Sequence, residues 1–422
     1  MTTATAIISE VEDKARRAKQ ASRVLAHLPA QVKDAALLKI ADALCQKEDE
    51  ILAANAADMQ RAKAQGLSEA LLDRLALNFK RIGGMAEGLR QVAALRDPVG
   101  EVISGWRRPN GLEVRKVRVP LGVVGLIYEA RPNVTIEAAG LCLKSGNAIV
   151  LRGGSEAITS NICLANIAGE VAQTAGLPAG CIEIIENTDR AAAQYLMTLR
   201  EYLDVLIPRG GASLIKSVVE NAKVPVIETA EGNCHLYIDA SADLDMAVKV
   251  TINAKCQRPS VCNAIETLLV HQEVAAAFLP RVARELMAAG VELKGDNPTR
   301  RLVSDAKAAT EEDWKTEYLD LILAVKVVCD IDEAIAHINR YSTGHSEAII
   351  TNDFEAAGRF MEEIDSCAVF VNTTTRFCDG GEIGLGAEIG ISTQKIHARG
   401  PMGLEALTSY KYLVVGQGQI RS

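Results

Sequence analysis

The feature that most constrains the fold is a series of short apolar stretches separated by segments with helical periodicity. Strands that are apolar on both faces must be covered on both faces, which is typical of a parallel sheet flanked by helices. The pattern occurs twice along the chain. The first run predicts strands at 123–128, 148–151, 182–185, 205–207 and 224–227, and the second at 265–270, 321–328, 348–351 and 368–371. The sequence therefore predicts an α/β protein with two parallel-sheet units, preceded by a helical region at 6–96.

Length, charge and cysteine spacing exclude several classes of protein. The 422 residues suffice for two or three domains, and the net charge of -8 is spread along the chain. We therefore expect no nucleic-acid partner. No apolar stretch reaches the roughly 18 residues that a membrane-spanning helix needs. None of the 10 cysteines forms a CxxC pair, so no metal site is predicted and we expect a soluble cytoplasmic protein.

Residues 101–119 alternate between polar and apolar side chains on either side of Asn110-Gly111. This pattern is a strong signal for a β-hairpin. One face of such a ribbon needs a partner, because an isolated hairpin is marginally stable. That partner is either another subunit or the hairpin's own domain. Residues 411–415 are predicted to form a further strand that extends a neighbouring sheet.

Cys262 is the candidate nucleophile. Arg258 lies four residues before it, Pro259 bars a helix at that point, and the apolar strand at 265–270 follows. A thiol on a loop beside a cation ionises more easily than a free thiol. The alternative is a packed structural cysteine, and Cys256 is a rival nucleophile.

Two predicted strands end in Arg-Gly-Gly, and a helix follows each of them. Glycine lets the backbone approach a phosphate, and a helix N-terminus favours anions. These turns are therefore either phosphate-binding sites or simple tight turns, and no GxGxxG fingerprint follows a strand. Ser155 is also predicted as the N-cap of the helix at 156–175. The candidate cofactor-binding residues are Arg152, Gly153, Gly154, Ser155, Gly210 and Gly211.

Several longer motifs carry a resemblance to known proteins. The stretches at 120–127, 146–152 and 176–180 resemble the first strands of the aldehyde dehydrogenase superfamily. Narrower motifs resemble the γ-glutamyl phosphate reductase (glutamate-5-semialdehyde dehydrogenase) family. These are Tyr128-Glu129-Ala130-Arg131-Pro132-Asn133-Val134-Thr135 and the motifs at 257–264, 328–338, 344–347 and 395–403.

The resemblance implies an aldehyde dehydrogenase-like fold and a domain plan. Residues 1–100, 119–230 and 365–381 would bind NADPH, and residues 231–364 would form the catalytic domain. Residues 101–118 and 382–422 would form an oligomerisation element. The implied activity is the NADPH-dependent reduction of L-glutamyl 5-phosphate to L-glutamate 5-semialdehyde, the second step of proline biosynthesis from glutamate. A homo-oligomer and a complex with glutamate 5-kinase are the implied partners.

The resemblance also implies roles for individual residues. Cys262 would form a thioester, and Asn133 would stabilise the oxyanion unless it is only a turn residue. Arg131 and Arg258 would bind the substrate's phosphate or α-carboxylate, unless they form surface or interdomain ion pairs. Arg152 would meet the 2′-phosphate of NADPH, with Lys144 and Lys255 as substitutes, and no general base is assigned. Two other functions stay open, an aldehyde dehydrogenase for a different acyl group and a non-catalytic scaffold.

Overall fold

A computed structural model describes residues 3–229 and 231–421, which divide into two compact units. The first comprises residues 3–229, 384–390 and 402–421, and the second comprises residues 231–383 and 391–401. The first unit opens with five helices, as the helical spacing of Ala and Leu predicts. Gly66, at a positive φ of 73°, follows the third of them. The five helices are α1 (Thr3–Leu25), α2 (Ala30–Gln46), α3 (Glu48–Ala64), α4 (Glu69–Leu75) and α5 (Phe79–Ala94).

The predicted hairpin is confirmed. Strands β1 (Val102–Arg107) and β2 (Glu113–Pro120) pair antiparallel. Gly111, in the connecting turn, has a positive φ of 88°, a conformation that glycine adopts without strain. The local signal was sufficient because both the turn residues and the alternation lie within one short stretch of the chain.

The first unit contains a parallel sheet of four strands in the order β5-β4-β3-β6. Its strands are almost wholly buried, as their apolar sequences require. The strand predicted at 224–227 is wrong, because only Val226 forms a bridge there, to Leu206. Pro225 has no backbone N–H to donate to a ladder. The elements are β3 (Val123–Tyr128), α6 (Asn133–Lys144), β4 (Ala148–Gly153), α7 (Ile158–Thr174), β5 (Ile182–Ile184), α8 (Arg190–Leu196), β6 (Val205–Arg209) and α9 (Ala212–Asn221).

The second unit is built on a parallel sheet of seven strands in the order β10-β9-β11-β8-β7-β12-β13. Its strands are β7 (Cys234–Ile238), β8 (Ile265–His271), β9 (Glu292–Gly295), β10 (Lys307–Ala308), β11 (Ile322–Val328), β12 (Ser346–Ile350) and β13 (Ala368–Val371). Its helices are α10 (Leu244–Cys256), α11 (Gln272–Ala288), α12 (Asn297–Leu302), α13 (Ile331–Tyr341) and α14 (Phe354–Glu363). A short antiparallel pair, β14 (Ile391–Ser392) and β15 (Gly400–Pro401), completes it.

Two parts of the domain plan differ from the structure. The plan assigns residues 391–401 to the oligomerisation element, but they belong to the second unit, where β14 pairs with β15. The domain plan places residues 365–381 in the cofactor domain, but β13 pairs with β12 and forms an edge of the seven-stranded sheet. The segment therefore belongs to the unit that contains Cys262. The sequence pattern identifies the strand correctly, but strand pairing is a tertiary contact that the pattern does not specify.

The C-terminal strand β16 (Thr408–Val415) pairs antiparallel with β2 and makes the hairpin a three-stranded sheet. This confirms the strand predicted at 411–415. Apolar side chains stay exposed on this sheet, among them Val102, Trp106, Tyr412 and Val414. Among the described residues, no helix is both long enough and apolar enough to cross a bilayer.

Candidate active site

Cys262 lies on a loop between α10 and β8, as predicted. The helix ends at Cys256, and the strand begins at Ile265. Pro259 cannot donate a helical hydrogen bond and disfavours a helical Arg258, which accounts for the end of the helix. The Cys262 side chain is partly exposed. A thiol in this position is accessible to a small molecule, unlike the buried Cys234 and Cys378 of the same unit.

The backbone of Cys262 is in close contact with the segment before β7. The thiol of Cys234 donates a hydrogen bond to the carbonyl oxygen of Cys262 at 3.1 Å. A Cβ atom on Gly232 would lie 1.5 Å from that same oxygen. The Gly232 N–H donates to Oε1 of Glu317 at 2.7 Å, and burial raises the pKa of this carboxyl group. Only glycine allows this approach, so position 232 fixes the location of the Cys262 loop.

A second segment, just after β13, holds the other side of the loop. The side-chain Nδ2 of Asn263 donates to the carbonyl of Cys378 at 2.9 Å. Thr375 Oγ1 in turn donates to the carbonyl of Asn263 at 2.7 Å. Arg376 Nε donates to Oε1 of Gln257 at 2.9 Å. The loop is therefore attached at both ends to a 3-10 turn, Thr375–Phe377, that is distant in sequence.

Sequence reasoning missed Arg376. Its local signal is weak, a single arginine in the stretch that follows the predicted strand at 368–371. In a parallel sheet, however, the residues after a strand lie at the ligand-binding edge. A search for charged residues just beyond each predicted strand would have found it.

Two cations lie near the nucleophile. Arg258 is exposed and Arg376 is half-buried. The pKa of Arg376 is lowered by burial first and then by the positive charge of Arg258, while Cys262 acts in the opposite direction. Neighbouring cations stabilise a thiolate. By contrast, burial raises the pKa of the rival Cys256, which is the last residue of α10. The environment thus favours Cys262 as the reactive thiol.

Asn133 and Arg131 lie in the first unit. Asn133 is the first residue of α6, and its Nδ2 donates to Oε1 of Glu137 at 2.7 Å. Arg131 is half-buried, and its backbone N–H donates to the carbonyl of Glu129 at 2.6 Å. Their predicted roles, in the oxyanion site and in substrate binding, stay predictions.

The turn after β4 is compact and carries a positive charge. The Arg152 guanidinium donates to the carbonyls of Gly153 and Thr188, and burial lowers its pKa. A Cβ atom on Gly153 would lie 2.2 Å from Nδ2 of Asn161. Ser155 is not the N-cap that the sequence predicts, because it begins a 3-10 turn and α7 starts only at Ile158. Its hydroxyl is therefore not committed to capping α7.

The turn after β6 already holds a carboxylate. Gly211 is the N-cap of α9, and its N–H donates to Oε2 of Glu129 at 3.0 Å. A Cβ atom on Gly210 would lie 2.6 Å from the carboxyl carbon of Glu129. The Gly210-Gly211 turn thus accommodates an anion, but a side chain of the first unit supplies it.

Burial excludes both lysines that were candidates to replace Arg152 in binding the 2′-phosphate. Lys144 is 1% exposed and forms an ion pair with Asp34. Lys255 is 0% exposed, and its Nζ lies 2.5 Å from Oε2 of Glu266. A buried lysine whose charge is already paired is unavailable to a phosphate. No local pattern indicates this burial, since lysine is usually solvated.

Comparison with known proteins agrees with this fold. The aldehyde dehydrogenase family model matches residues 1–314 and 302–384. The γ-glutamyl phosphate reductase of Moorella thermoacetica is 60% identical over 412 residues, with 98% of this chain and 99% of the relative covered. That of Caldanaerobacter subterraneus subsp. tengcongensis is 58% identical over 412 residues, with 98% and 100% covered.

Solved structures show the same relationship. The crystal structure of the γ-glutamyl phosphate reductase of Thermotoga maritima superposes with a TM-score of 0.95 at 52% identity, covering 98% of this chain and 100% of that one. An acetylating aldehyde dehydrogenase of Geobacillus thermoglucosidasius, at 20% identity and a TM-score of 0.71 over 99% of both chains, shares the fold.

The chain therefore belongs to the aldehyde dehydrogenase family, the class of oxidoreductase that its fold and its loop cysteine indicate. Enzymes of this family use a nicotinamide cofactor and act on small molecules. Within the family, the chain shares more than half of its residues with the γ-glutamyl phosphate reductases of Moorella, Caldanaerobacter and Thermotoga.

Proposed function

We propose that this enzyme reduces L-glutamyl 5-phosphate to L-glutamate 5-semialdehyde with NADPH and releases phosphate, as the second step of proline biosynthesis. The observation that carries the proposal is the partly exposed Cys262 on a loop that also holds Arg258 and contacts Arg376. An acyl phosphate needs a nucleophile for its carbonyl carbon and cations for its negative charges. The names and high identity of the relatives support this choice of substrate.

The chemistry follows from the thiol. The Cys262 thiolate attacks the γ-carbonyl carbon, so that a C–S bond forms and the carbonyl oxygen becomes an oxyanion. We propose that the Cys262 backbone N–H and the Asn133 side chain stabilise this oxyanion, and losing one such donor typically costs about 10²–10³ in rate. Collapse of the intermediate breaks the bond to the phosphate oxygen and leaves a thioester. After reduction, cleavage of the C–S bond releases the semialdehyde and restores the thiolate.

NADPH, when bound, supplies the hydride that reduces the thioester. We propose that the turn after β4 holds its phosphates, because the Arg152 guanidinium adds positive charge there. Arg152 and the Ser155 hydroxyl are our candidates for the 2′-phosphate. A carboxylate lies against each of the two turns, Glu129 at Gly210-Gly211 and Glu156 at Gly154, so a phosphate bound at either turn would have to displace one.

We propose that the three-stranded sheet mediates a homo-oligomer, since its exposed apolar side chains include Trp106 and Val414. A complex with glutamate 5-kinase would protect the labile acyl phosphate in transit. All ten cysteines are free thiols, which supports a reducing, cytoplasmic setting.

The test uses the reverse reaction, in which purified enzyme receives glutamate 5-semialdehyde, phosphate and NADP⁺ while NADPH absorbance is followed. We expect turnover that depends on phosphate, and without phosphate a burst of about one NADPH per active site, because the thioester then accumulates. Cys262→Ser should abolish both signals, and the matched variant Cys256→Ser should keep them. Full turnover by Cys262→Ser would refute the thioester route.

The alternative functions give different results in the same assay. The fold is shared with an acetylating aldehyde dehydrogenase, so the fold alone does not determine the acyl group. Faster turnover of another aldehyde would indicate a different acyl group, and coenzyme A replacing phosphate would indicate a different acyl acceptor. Wild-type enzyme without dehydrogenase activity towards any aldehyde would indicate a scaffold.

A further inference from the structure

Arg376 is attached to the nucleophile loop at two points. Its Nε donates to Gln257, five residues before Cys262. Its carbonyl lies 3.5 Å from Nδ2 of Asn263, the residue after Cys262. The side chain and the backbone of one residue thus contact both ends of the loop. Arg376 is therefore attached to the loop on both sides of Cys262 in the sequence.

The charge of Arg376 is not directly paired. Over residues 3–229 and 231–421, neither Arg376 nor Arg258 forms an ion pair with a carboxylate, whereas other cations of the same unit do, as Lys294 does with Asp313. In the same range, Nε is the one guanidinium nitrogen of Arg376 with a hydrogen bond. The positive charge of Arg258 repels that of Arg376, and half-burial of Arg376 reduces screening by water. Cys262 and the carboxylate of Asp379 oppose this repulsion, but over the described part of the chain Asp379 forms no ion pair with either arginine. An anion placed against both guanidinium groups relieves that repulsion.

The hydrogen bond to Gln257 also determines which donors remain. With Nε engaged, the two terminal Nη groups of Arg376 are the donors available to a ligand. An arginine can present two parallel N–H groups to one carboxylate or phosphate. The Gln257 contact orients the guanidinium and leaves that capacity intact.

We propose that Arg376, together with Arg258, forms a paired-guanidinium site that binds an oxyanion of the substrate. The inference rests on the proposed function, because the acyl phosphate and the semialdehyde supply the anion. The bound anion is either the phosphoryl group or the α-carboxylate of the substrate, and both are resonance-delocalised oxyanions. Arg376 is then the residue that selects an anionic substrate over a neutral aldehyde of the same size.

The reverse reaction distinguishes the two anions, because phosphate and semialdehyde enter as separate substrates. We expect Arg376→Met to raise the KM for one of them by about 10- to 100-fold, the typical effect of losing one charge-assisted contact. An increase for phosphate places the phosphoryl group on Arg376, and an increase for semialdehyde places the α-carboxylate there. Arg376→Lys should restore part of the loss, and the KM for NADP⁺ should not change.

Arg340→Met is the matched control. Arg340 lies in the same unit but is exposed and paired with Glu311, so both KM values should equal those of the wild type. If Arg376→Met left both KM values within about twofold of the wild type, or raised the KM for NADP⁺ to the same extent, the paired site would be refuted.

A second measurement separates failure of the anion site from failure of the proposed function. The rate of Cys262 alkylation by iodoacetamide is followed against pH, with the modified peptide quantified by mass spectrometry. Inorganic phosphate or glutamate should shift the wild-type profile to higher pH, because a bound anion offsets the cations that favour the thiolate. Arg376→Met should show no such shift. If the wild type is inactive but shows this shift, the proposed reaction is refuted and the anion site is supported. If the wild type shows no shift, the anion site is refuted.

Discussion

Gly232→Ala should inactivate the enzyme without unfolding it. A Cβ atom at this position would lie 1.5 Å from the carbonyl oxygen of Cys262 and 2.6 Å from its Cα. Ordinary contact begins near 3.4 Å, so one of the two backbones must move by roughly 2 Å. The displaced group is the nucleophile itself. Since a misplacement of about 1 Å can cost 10²-fold in rate, we expect kcat to fall by at least about 10²-fold.

The assay is the phosphate-dependent reverse reaction, with thermal unfolding measured on the same samples. Gly358→Ala is the matched control, since Gly358 lies inside α14 and a Cβ there meets no heavy atom within 4 Å. That variant should keep full activity and a Tm at or above that of the wild type, because alanine is the better helix former. If Gly232→Ala were folded and kept kcat within about threefold, the close approach would not position Cys262.

Three further results are expected. Arg152→Gln should raise the KM for NADP⁺ by about 10-fold or more and leave that for NAD⁺ unchanged, because NAD⁺ lacks the 2′-phosphate; equal effects on both cofactors would contradict this role. Burial lowers the pKa of His337 from 6.5 to about 3, so its contribution to stability is present above pH 6.5 and is lost as the pH falls towards 3. Urea unfolding should therefore show that the free energy of unfolding falls by up to about 1.4 kcal/mol per pH unit between pH 7 and 5. His337→Phe should reduce this fall, whereas His27→Gln, at an exposed position, should not. Val414→Glu on the exposed three-stranded sheet should lower the particle mass measured by light scattering, and an unchanged mass would exclude this face as the subunit contact.

Local signals predicted the parts of the fold that depend on few residues. The hairpin followed from Asn110-Gly111 and the flanking alternation, and the Cys262 loop followed from Pro259 and the apolar strand after it. Each of these depends on residues within one short window. The strand predicted at 224–227 is wrong for a similarly local reason, because Pro225 has no N–H for the ladder although the segment is apolar.

Features that depend on distant partners could not be predicted in this way. Lys144 and Lys255 resemble solvated side chains in the sequence, but Asp34 and Glu266 neutralise them in the interior. The position of β13 beside β12, and with it the place of Arg376 near the nucleophile, is a matter of strand order. A periodic pattern indicates which face of a strand is buried, but it does not indicate which other strand pairs with it.

The segments that secure the reactive sulfur are spread widely along the chain, at Gly232, at Gln257 to Asn263 and at Thr375 to Cys378. A ribosome makes them in that order, so the contacts to the last segment become possible only after residue 378 has been added. While residues 263–378 are being added, the nascent chain therefore carries this cysteine without the environment that would activate it.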